Sequence, residues 1–341
     1  MSSFPAVSVL LPCYDAATTL EEALASLEAQ TLTDWEVIAV DDGSTDTTLK
    51  ILQEWSRGDG RFRVLEQQHG GIIEALNAGL AECRGMYVAR MDADDRCHPE
   101  RLAMQKRFLG EHPEIALAGC LVEGFPAEQV REGFRIYMDW QNSLVNDADI
   151  RREMFIESPF AHPSVMFRRE WVERVGGYQE HGWPEDYDLW LRLYLAGAHF
   201  GKVPQVLLEW RETPQRLTRT DSRYALENFL RLKAQSLAYG PLQGREAVFI
   251  WGAGMMGRRL GKQLQNQQAP LAAYIDIDPM KIGHTRRGLP ILAPEELLEW
   301  WKRYSNPILL AAVGARGARP LIRERLEEYG LNEGKDWLFC A

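Results

Sequence analysis

The sequence predicts an α/β protein of two unequal domains, each built on a mostly parallel sheet flanked by helices. Three observations support this fold class. Strand and helix patterns alternate through the first part of the chain, a glycine- and proline-containing break occurs at 240–244, and a second strand–turn–helix pattern follows it. A length of 341 residues also suits two domains, at roughly 150 residues per domain.

Short apolar runs rich in β-branched residues predict buried strands at 7–11, 35–40, 63–65 and 86–91. Helices are predicted between them, beginning at 18 or 19, at 47 and at 72. The first is indicated by Leu20, Leu24 and Leu27, which recur on one helical face. This order predicts parallel strands joined by helices that cover both faces of the sheet.

The chain from 101 to about 210 is less regular, with one clear helix predicted at 186–195. A longer helix is predicted at 221–239. Because glycine and proline end helices, the domain boundary is placed at 240–244. The predicted domains are therefore 1–240, which includes the helix at 221–239 as a connecting element, and 244–341.

Acidic side chains follow three of the predicted strands: Asp15, then Asp41 and Asp42, then Asp92 and Asp94. Ligands of such sheets bind beyond the carboxyl ends of the strands. At positions i and i+2 of extended backbone, Asp92 and Asp94 face the same way, so both carboxylates can hold one Mg²⁺ or Mn²⁺ that substrate phosphates complete. The alternative is an acidic loop in which Asp95 caps the helix that begins near Pro99.

The acids after the second strand also allow two interpretations. A carboxylate of Asp41 or Asp42 can accept hydrogen bonds from a base or a ribose. Alternatively, the segment is a turn in which Ser44 or Asp46 caps the next helix. The two interpretations are compatible if each aspartate takes one role.

Glu185 and Asp186 follow Trp183 and Pro184 on an irregular approach to a predicted helix. An acid among bulky aromatic residues suits a general base, because partial desolvation raises its pKa toward the working pH. The alternative is that Asp186 only caps the helix.

A second glycine-rich turn follows a strand predicted at 247–251. Gly252, Gly254 and Gly257 form a G-x-G-x-x-G pattern that opens a helix, and Asp276 ends the next strand, where a ribose-binding acid would lie. The pattern predicts a Rossmann-like domain with a possible second nucleotide site. A structural or assembly module is the alternative, since roughly 100 residues without an evident catalytic pair are too few for a complete dehydrogenase.

Several motifs of the first domain together resemble a family 2 glycosyltransferase with the GT-A fold, over roughly residues 7–210. They are VSVLLPCYD at 7–15, SLEAQT at 26–31, VDDGSTD at 40–46, GGI at 70–72, ALNAGL at 75–80, ARMDADD at 89–95, HPS at 162–164 and EDYDLW at 185–190. The motifs occur in the order typical of the family. The resemblance does not extend to the second domain.

The resemblance implies inverting transfer of a sugar from a nucleoside diphosphate donor, commonly UDP-linked, to a hydroxyl acceptor in cell-surface or extracellular glycan synthesis. It divides the first domain into a donor half at about 1–100 and an acceptor half at about 101–215. The implied donor-nucleotide residues are Pro12, Tyr14, Asp42 and Asp92. The implied metal ligands are Asp94 and Asp92, and the implied base is Asp186. Support or acceptor contacts are expected from Glu185, His162 and Arg90. The family's usual asparagine is Asp15 here, so no role is transferred to it.

The amino-acid composition limits the classes of molecule that the protein is expected to bind. Lys and Arg number 39 against 49 Asp and Glu, and the net charge of −10 argues against a general nucleic-acid binder. Without an apolar run of about 18–20 residues or a signal-peptide pattern, we expect a cytoplasmic enzyme, with peripheral contact at the inner face of a membrane left open. Expected partners are a nucleoside diphosphate sugar and a glycan or lipid-linked glycan. Two alternatives are a bifunctional protein whose second domain is an oxidoreductase or sugar-modifying module, and a non-catalytic nucleotide-sugar-binding protein.

Overall fold

The computed structural model describes residues 4–213 and 216–341, which form two compact units. The first unit comprises Met1–Ile150, Pro159–His181 and Glu185–Thr220, and the second comprises Arg151–Ser158, Gly182–Pro184 and Asp221–Ala341. The helix predicted at 221–239 thus lies in the second unit, although the sequence analysis assigns it to the first. The physical reason is that this helix packs on the helix Met255–Asn266.

The strands are β1 (Val7–Cys13), β2 (Trp35–Asp41), β3 (Phe62–Glu66), β4 (Tyr87–Arg90), β5 (Arg96–Cys97), β6 (Ile115–Phe125), β7 (Met166–Arg168), β8 (His199–Arg211), β9 (Ala247–Trp251), β10 (Leu271–Ile275), β11 (Thr285–Arg286), β12 (Leu289–Leu292), β13 (Pro307–Ala311) and β14 (Trp337–Phe339). The α-helices are α1 (Leu20–Glu28), α2 (Thr48–Gly58), α3 (Ile72–Glu82), α4 (Arg101–Glu111), α5 (Glu132–Ser143), α6 (Asp147–Glu153), α7 (Arg169–Arg174), α8 (Glu185–Leu195), α9 (Leu217–Thr220), α10 (Leu226–Tyr239), α11 (Met255–Asn266), α12 (Leu297–Trp301) and α13 (Ala318–Glu328).

Within the described residues, the sheet of the first unit has eight strands in the order β3-β2-β1-β4-β7-β6-β8-β5. β1 lies between β2 and β4 and is parallel to both, while β3 is parallel to β2 and β8 to β6. β7 is antiparallel to β4 and β6, and β5 is antiparallel to β8. The predicted mostly parallel sheet with flanking helices is confirmed, and its antiparallel part comes from the irregular region after residue 90.

The core of the first unit follows the predicted patterns. Leu20, Leu24 and Leu27 are fully buried on α1, and every residue of β1 and β2 is buried. One boundary differs: β1 continues through Pro12, where the sequence analysis ends it. The N–H of Met91 donates to Leu10 O, so the backbone N–H and C=O groups of even-numbered residues in β1 point toward β4. Pro12 is also even-numbered, but it lies beyond the end of β4. Its missing N–H therefore removes no hydrogen bond between the two strands.

The second unit contains a smaller sheet, whose six strands run in the order β11-β12-β10-β9-β13-β14 among the described residues. All neighbouring strands are parallel except the pair β11 and β12. β9 is central, and the strand order reverses around it. Before this sheet, the predicted helix at 221–239 is interrupted: a 3₁₀ turn at Ser222–Tyr224 precedes α10. The carboxylate of Asp221 caps that turn by accepting the N–H of Arg223 at 2.8 Å.

Candidate active site

β1, β2 and β4 end at the same edge of the first sheet. Cys13 pairs with Asp41 and Leu10 with Arg90, so the segments that follow these strands lie side by side. The N–H of Asp42 donates to Cys13 O at 2.9 Å and joins two of these segments. This edge therefore brings together the acids that the sequence separates by up to eighty residues.

Three carboxylates converge after β4. Asp92, Asp94 and Asp95 each offer one oxygen, and these oxygens lie within 4.8 Å of one another. Asp95 is buried, and no donor among the described residues reaches its Oδ2. Converging carboxylates with an unpaired buried oxygen are the donor set that Mg²⁺ or Mn²⁺ takes. The residues present therefore fit such a cation, and Asp95 extends the predicted pair.

The electrostatics of this cluster also favour a cation. Burial and then the neighbouring charge of Asp92 raise the pKa of Asp94 to about 6. Burial, with the charges of Asp94 and Asp92, raises the pKa of Asp95 well above its ordinary value. The charged forms of Asp94 and Asp95 are thus penalised by lost hydration and by neighbouring negative charges. A bound cation would relieve both effects.

Arg211, at the end of β8, holds this loop in place. Its N–H donates to Asp95 Oδ1 at 2.7 Å, and its Nε donates to Asp94 O at 2.5 Å. Its Nη2 also donates to Glu22 Oε2 at 2.6 Å. Asp95 therefore accepts from Arg211 and does not cap α4, whose N-cap residue is Glu100. Arg211 is not predictable from the sequence, because no local pattern connects it to a loop 116 residues earlier.

The carboxylate of Asp42 is buried and already bonded within the protein. It accepts the Nε2–H of Gln67 at 2.6 Å and the N–H groups of Gly70 and Gly71 at 2.9 Å each. The Nδ1 of His69 lies 2.9 Å from its Oδ2. Asp42 thus orders the loop at 67–71 directly. Any contact with a nucleobase would be made in addition to, or in place of, these bonds.

The loop at 67–71 also places an aromatic surface at this edge. The rings of Tyr14 and His69 stack with centroids 4.2 Å apart, and Tyr14 is about half exposed. Asp41 is buried and uses Oδ2 to accept the Ser44 N–H at 3.2 Å, while no donor in the described part of the chain reaches its Oδ1. Its unpaired oxygen keeps open the predicted role of a strand-end acid as a ligand acceptor.

The residues after β2 form a turn, but neither Ser44 nor Asp46 is the N-cap of α2, which is Thr47. Asp46 Oδ1 instead accepts the N–H of Thr48 at 2.8 Å from the position just before the cap. Asp15 has a positive φ of 45° and its Oδ1 accepts the N–H of Thr45 at 2.7 Å. Both acids therefore shape the backbone of the strand-end loops.

Asp186 lies in the first turn of α8. Burial, followed by the negative charge of Glu185, raises the pKa of Asp186 to about 8, while Arg90 acts in the opposite direction. Its Oδ1 accepts the N–H of Tyr187 at 2.7 Å, a local bond of the helix start. A carboxylate with this pKa can take a proton from a hydroxyl at neutral to mildly basic pH. The geometry combines a helix-start contact with the electrostatics of a base.

His162 is a buried, uncharged side chain near Glu185, the residue that precedes Asp186. Burial, followed by the charge of Arg90, lowers the pKa of His162 well below its ordinary value. Its Nε2 shares a hydrogen bond of 3.0 Å with the hydroxyl of Tyr178, and its Nδ1 lies 4.0 Å from Glu185 Oε1. Asn77 fixes the backbone of Tyr178 by bonding both its N–H, at 3.0 Å, and its carbonyl, at 2.8 Å. His162 therefore bonds to Tyr178 and lies near Glu185, the residue that precedes Asp186.

The glycine-rich turn of the second unit is closely packed. Gly252 has φ +108°, and a Cβ at Gly257 would lie 1.8 Å from Gly252 O, so both positions require glycine. Asp276 Oδ2 accepts the N–H of Ala253 at 2.8 Å and lies 3.2 Å from the Lys281 ammonium. A Cβ at Gly254 would meet nothing within 4 Å. The predicted ribose acceptor is thus engaged by its own unit.

The geometry of the first unit can be compared with known structures. TarS of S. aureus, residues 1–349 in complex with UDP, matches with a TM-score of 0.54 and 20% identity, over 76% of this chain and 70% of TarS. The mannosyltransferase PcManGT from Pyrobaculum calidifontis, in complex with GDP-Man and Mn²⁺, matches with a TM-score of 0.50 and 23% identity, over 70% of this chain and 63% of that protein. The class is therefore that of GT-A glycosyltransferase folds, and the predicted fold class is confirmed.

Sequence comparison identifies the family. The model of "Glycosyl transferase family 2" matches residues 8–176. The chain is 36% identical over 207 residues to the amylovoran biosynthesis glycosyltransferase AmsE of Erwinia amylovora, covering 60% of this chain and 75% of AmsE. It is 31% identical over 237 residues to the Escherichia coli UDP-Gal:alpha-D-GlcNAc-diphosphoundecaprenol beta-1,3-galactosyltransferase, covering 68% of this chain and 82% of the relative. The chain belongs to glycosyl transferase family 2.

Within the described ranges, none of the helices is both long and apolar enough to cross a membrane.

Proposed function

We propose that this glycosyltransferase moves a sugar, with inversion, from a nucleoside diphosphate sugar to a glycan hydroxyl in polysaccharide biosynthesis. The observation that carries the proposal is that the acidic side chains form two separate groups with different surroundings. Asp92, Asp94 and Asp95 form an acidic cluster suited to a cation, whereas Asp186 is a separate, partly buried acid with a pKa raised to about 8. One group suits the leaving diphosphate and the other suits the attacking hydroxyl.

In the proposed reaction, the carboxylate of Asp186 accepts the proton of the acceptor hydroxyl. The hydroxyl oxygen forms a bond to the anomeric carbon of the donor. The bond from that carbon to the diphosphate oxygen breaks, and its electron pair leaves with the nucleoside diphosphate. Attack from the face opposite the leaving group inverts the anomeric configuration. The raised pKa makes Asp186 a stronger base than an ordinary carboxylate.

Asp92 and Asp94 are the proposed ligands of Mn²⁺ or Mg²⁺, with Asp95 beside them. A cation held there supplies positive charge that offsets the charge on the departing diphosphate. Arg211 keeps the loop in register by bonding both Asp94 O and Asp95 Oδ1. The solved structure of PcManGT, which shares the fold, is a complex with GDP-Man and Mn²⁺, and this supports a divalent cation.

We propose a UDP-linked donor, since the E. coli relative is named for UDP-Gal and TarS was crystallised with UDP. Pro12, Tyr14 and Asp42 are the proposed nucleoside contacts, with Asp92 toward the ribose or the cation. The half-exposed ring of Tyr14 offers a surface on which a base can stack. Asp42 acts in part by ordering the loop at 67–71.

A lipid-linked glycan is the proposed acceptor, because the name of the E. coli relative specifies a diphosphoundecaprenol-linked substrate. Such an acceptor would place the reaction at the inner face of a membrane. Flotation with anionic and neutral vesicles, with and without lipid-linked acceptor, tests this placement. If the fraction of protein that floats is the same with every vesicle, with or without lipid-linked acceptor, the result would argue for an acceptor free in solution.

Transfer from radiolabelled UDP-sugars with Mn²⁺ tests the core proposal. Asp94→Ala and Asp186→Asn are expected to lower the rate of transfer strongly, whereas Asp34→Asn, a change of an exposed aspartate in the same unit, should not affect it. A thermal-shift comparison of UDP with GDP, both with Mn²⁺, tests the donor nucleotide. Donor binding without any turnover would favour the non-catalytic alternative.

For the second unit we propose a Rossmann-like module with a mainly structural role. The central position of β9 among parallel strands supports the fold type, and the self-bonded carboxylate of Asp276 supports the role. Calorimetric titration of the full chain with UDP and with NAD tests it. One UDP site and no NAD site is the expected result, while a second nucleotide site would revive the bifunctional alternative.

A further inference from the structure

Arg90 is a buried cation at the carboxyl end of β4. The residue is 3% exposed, and its Nη1 forms an ion pair with Asp92. No acceptor among the described residues reaches its Nε. A guanidinium that is taken out of water and left with an unused donor is costly, so a purely structural role explains it poorly.

The backbone of Arg90 is held firmly. Its N–H donates to Val165 O at 2.9 Å, and its carbonyl accepts the Nη2–H of Arg101 at 2.7 Å. Arg101 is itself fully buried and bonded to Gln105 at 3.1 Å. The side chain of Arg90 is therefore attached to a backbone position that hydrogen bonds fix within the sheet.

Titratable groups on several elements interact with this guanidinium electrostatically or lie next to a group that does. After β4 lie Asp92, Asp94 and Asp95; on α8 and the segment before it lie Glu185, Asp186 and Tyr178; His162 lies in the 3₁₀ turn before β7; and Cys13 ends β1. Burial tends to lower the pKa of Arg90, but the charge of Asp92 holds it above its ordinary value. The side chain is therefore a permanent positive charge that is paired with Asp92 and that also lowers the pKa of Asp186.

We propose that Arg90 is a positioning residue that links the two halves of the reaction centre by holding Asp92 toward the cation site and placing a positive charge beside Asp186. This role rests on the proposed function of those two aspartates. The unused Nε–H supplies a donor for a group that arrives with substrate, such as an oxygen of the donor sugar or its diphosphate. Loss of Arg90 should therefore disturb cation binding and the base together, although the two groups lie on different elements.

Arg90→Met removes the charge and the donors while keeping an unbranched side chain, and Arg90→Lys keeps the charge. Arg57→Met, at an exposed position of α2, is the matched control. Three quantities are measured on the full chain: Mn²⁺ affinity by calorimetry, the pH midpoint of kcat/KM, and the unfolding midpoint in urea. The Mn²⁺ measurement needs no turnover.

We expect Arg90→Met to weaken Mn²⁺ binding by about tenfold and to move the pH midpoint upward by about 1 or more, since an opposite charge within reach lowers the pKa of a carboxyl group by that order. Arg90→Lys should keep the wild-type pH midpoint, and Arg57→Met should leave all three quantities unchanged. Added guanidinium should partly restore the Arg90→Met variant.

A folded Arg90→Met variant with wild-type Mn²⁺ affinity and pH midpoint would overturn the proposal, as would an equal shift in Arg90→Lys. If Arg90→Met does not fold, Arg90→Gln, whose amide can hydrogen bond in the buried site, takes its place with the same criteria. Absence of sugar transfer by the wild-type chain would instead refute the proposed function, so the two failures are distinguishable.

Discussion

The ionisation of Asp186 gives the most direct test of the mechanism. Its pKa of about 8 results from burial and from the neighbouring Glu185. If the ionised carboxylate is the base, about a tenth of the free enzyme is active at pH 7 and about a hundredth at pH 6. The rate constant kcat/KM should therefore rise about tenfold per pH unit up to a midpoint near 8 and then level off, since kcat/KM reports the free enzyme.

Replacement of the same residue gives a second, independent test of the base. Asp186→Asn should lower kcat by about 10²–10⁴-fold, the usual contribution of a general base. Because the folded-state pKa of Asp186 lies above its unfolded value, the wild-type chain should lose stability relative to Asp186→Asn as pH rises from about 4 to about 8. That loss has a slope of about 1.4 kcal/mol per pH unit.

Initial rates with a UDP-sugar between pH 5.5 and pH 9.5, at fixed ionic strength and saturating Mn²⁺, measure the profile, and urea unfolding measures stability. Asp34→Asn serves as the control because that aspartate is exposed. A flat profile from pH 6 to pH 9, or an Asp186→Asn variant with more than about a tenth of wild-type kcat, would refute the assignment of the base.

Three further predictions concern residues that hold the loops. Asp42→Ala leaves the Gln67 amide and two backbone N–H groups without their acceptor, so urea unfolding should show a loss of about 3–5 kcal/mol; a loss below about 1 kcal/mol would contradict the loop-ordering role. Arg211→Met should weaken Mn²⁺ binding about tenfold in calorimetry. It should change the free energy of unfolding, measured without UDP, by less than about 2 kcal/mol. Unchanged Mn²⁺ binding would argue that the bonds from Arg211 to Asp94 and Asp95 do not position the cation site. Asp276→Asn should destabilise the chain by about 1–3 kcal/mol without changing the transfer rate, and a slower transfer rate would connect the second unit to catalysis.

The acidic residues at the strand ends show which parts of the site can be predicted from local sequence patterns. Apolar, β-branched runs predicted β1, β2 and β4, and an acid or a pair of acids followed each run. Because the carboxyl ends of parallel strands meet at one edge, these patterns predicted that Asp42, Asp92 and Asp94 lie near one another. The motif order predicted the family, which sequence comparison confirmed.

Other parts of the site depend on contacts between distant segments. Arg211 bonds a loop 116 residues earlier, and the bonds of Asp42 to Gly70 and Gly71 span 28 and 29 residues. Neither leaves a local periodicity. The assignment of α10 to the second unit was missed for the same reason, since its partner α11 follows the glycine- and proline-containing break that suggested a boundary.

Hydrophobic periodicity and the residues at strand ends are local properties, and by themselves they determined the α/β class, the two-part organisation and the set of acidic side chains. The tertiary structure decided how each acid is used. Burial beside Glu185 raises the pKa of Asp186, engagement by its own unit occupies Asp276, and the ion pair with Asp92 places Arg90 at the centre of the site. Desolvation and charge pairing depend on which distant groups come within a few ångströms, and only the folded chain sets those distances.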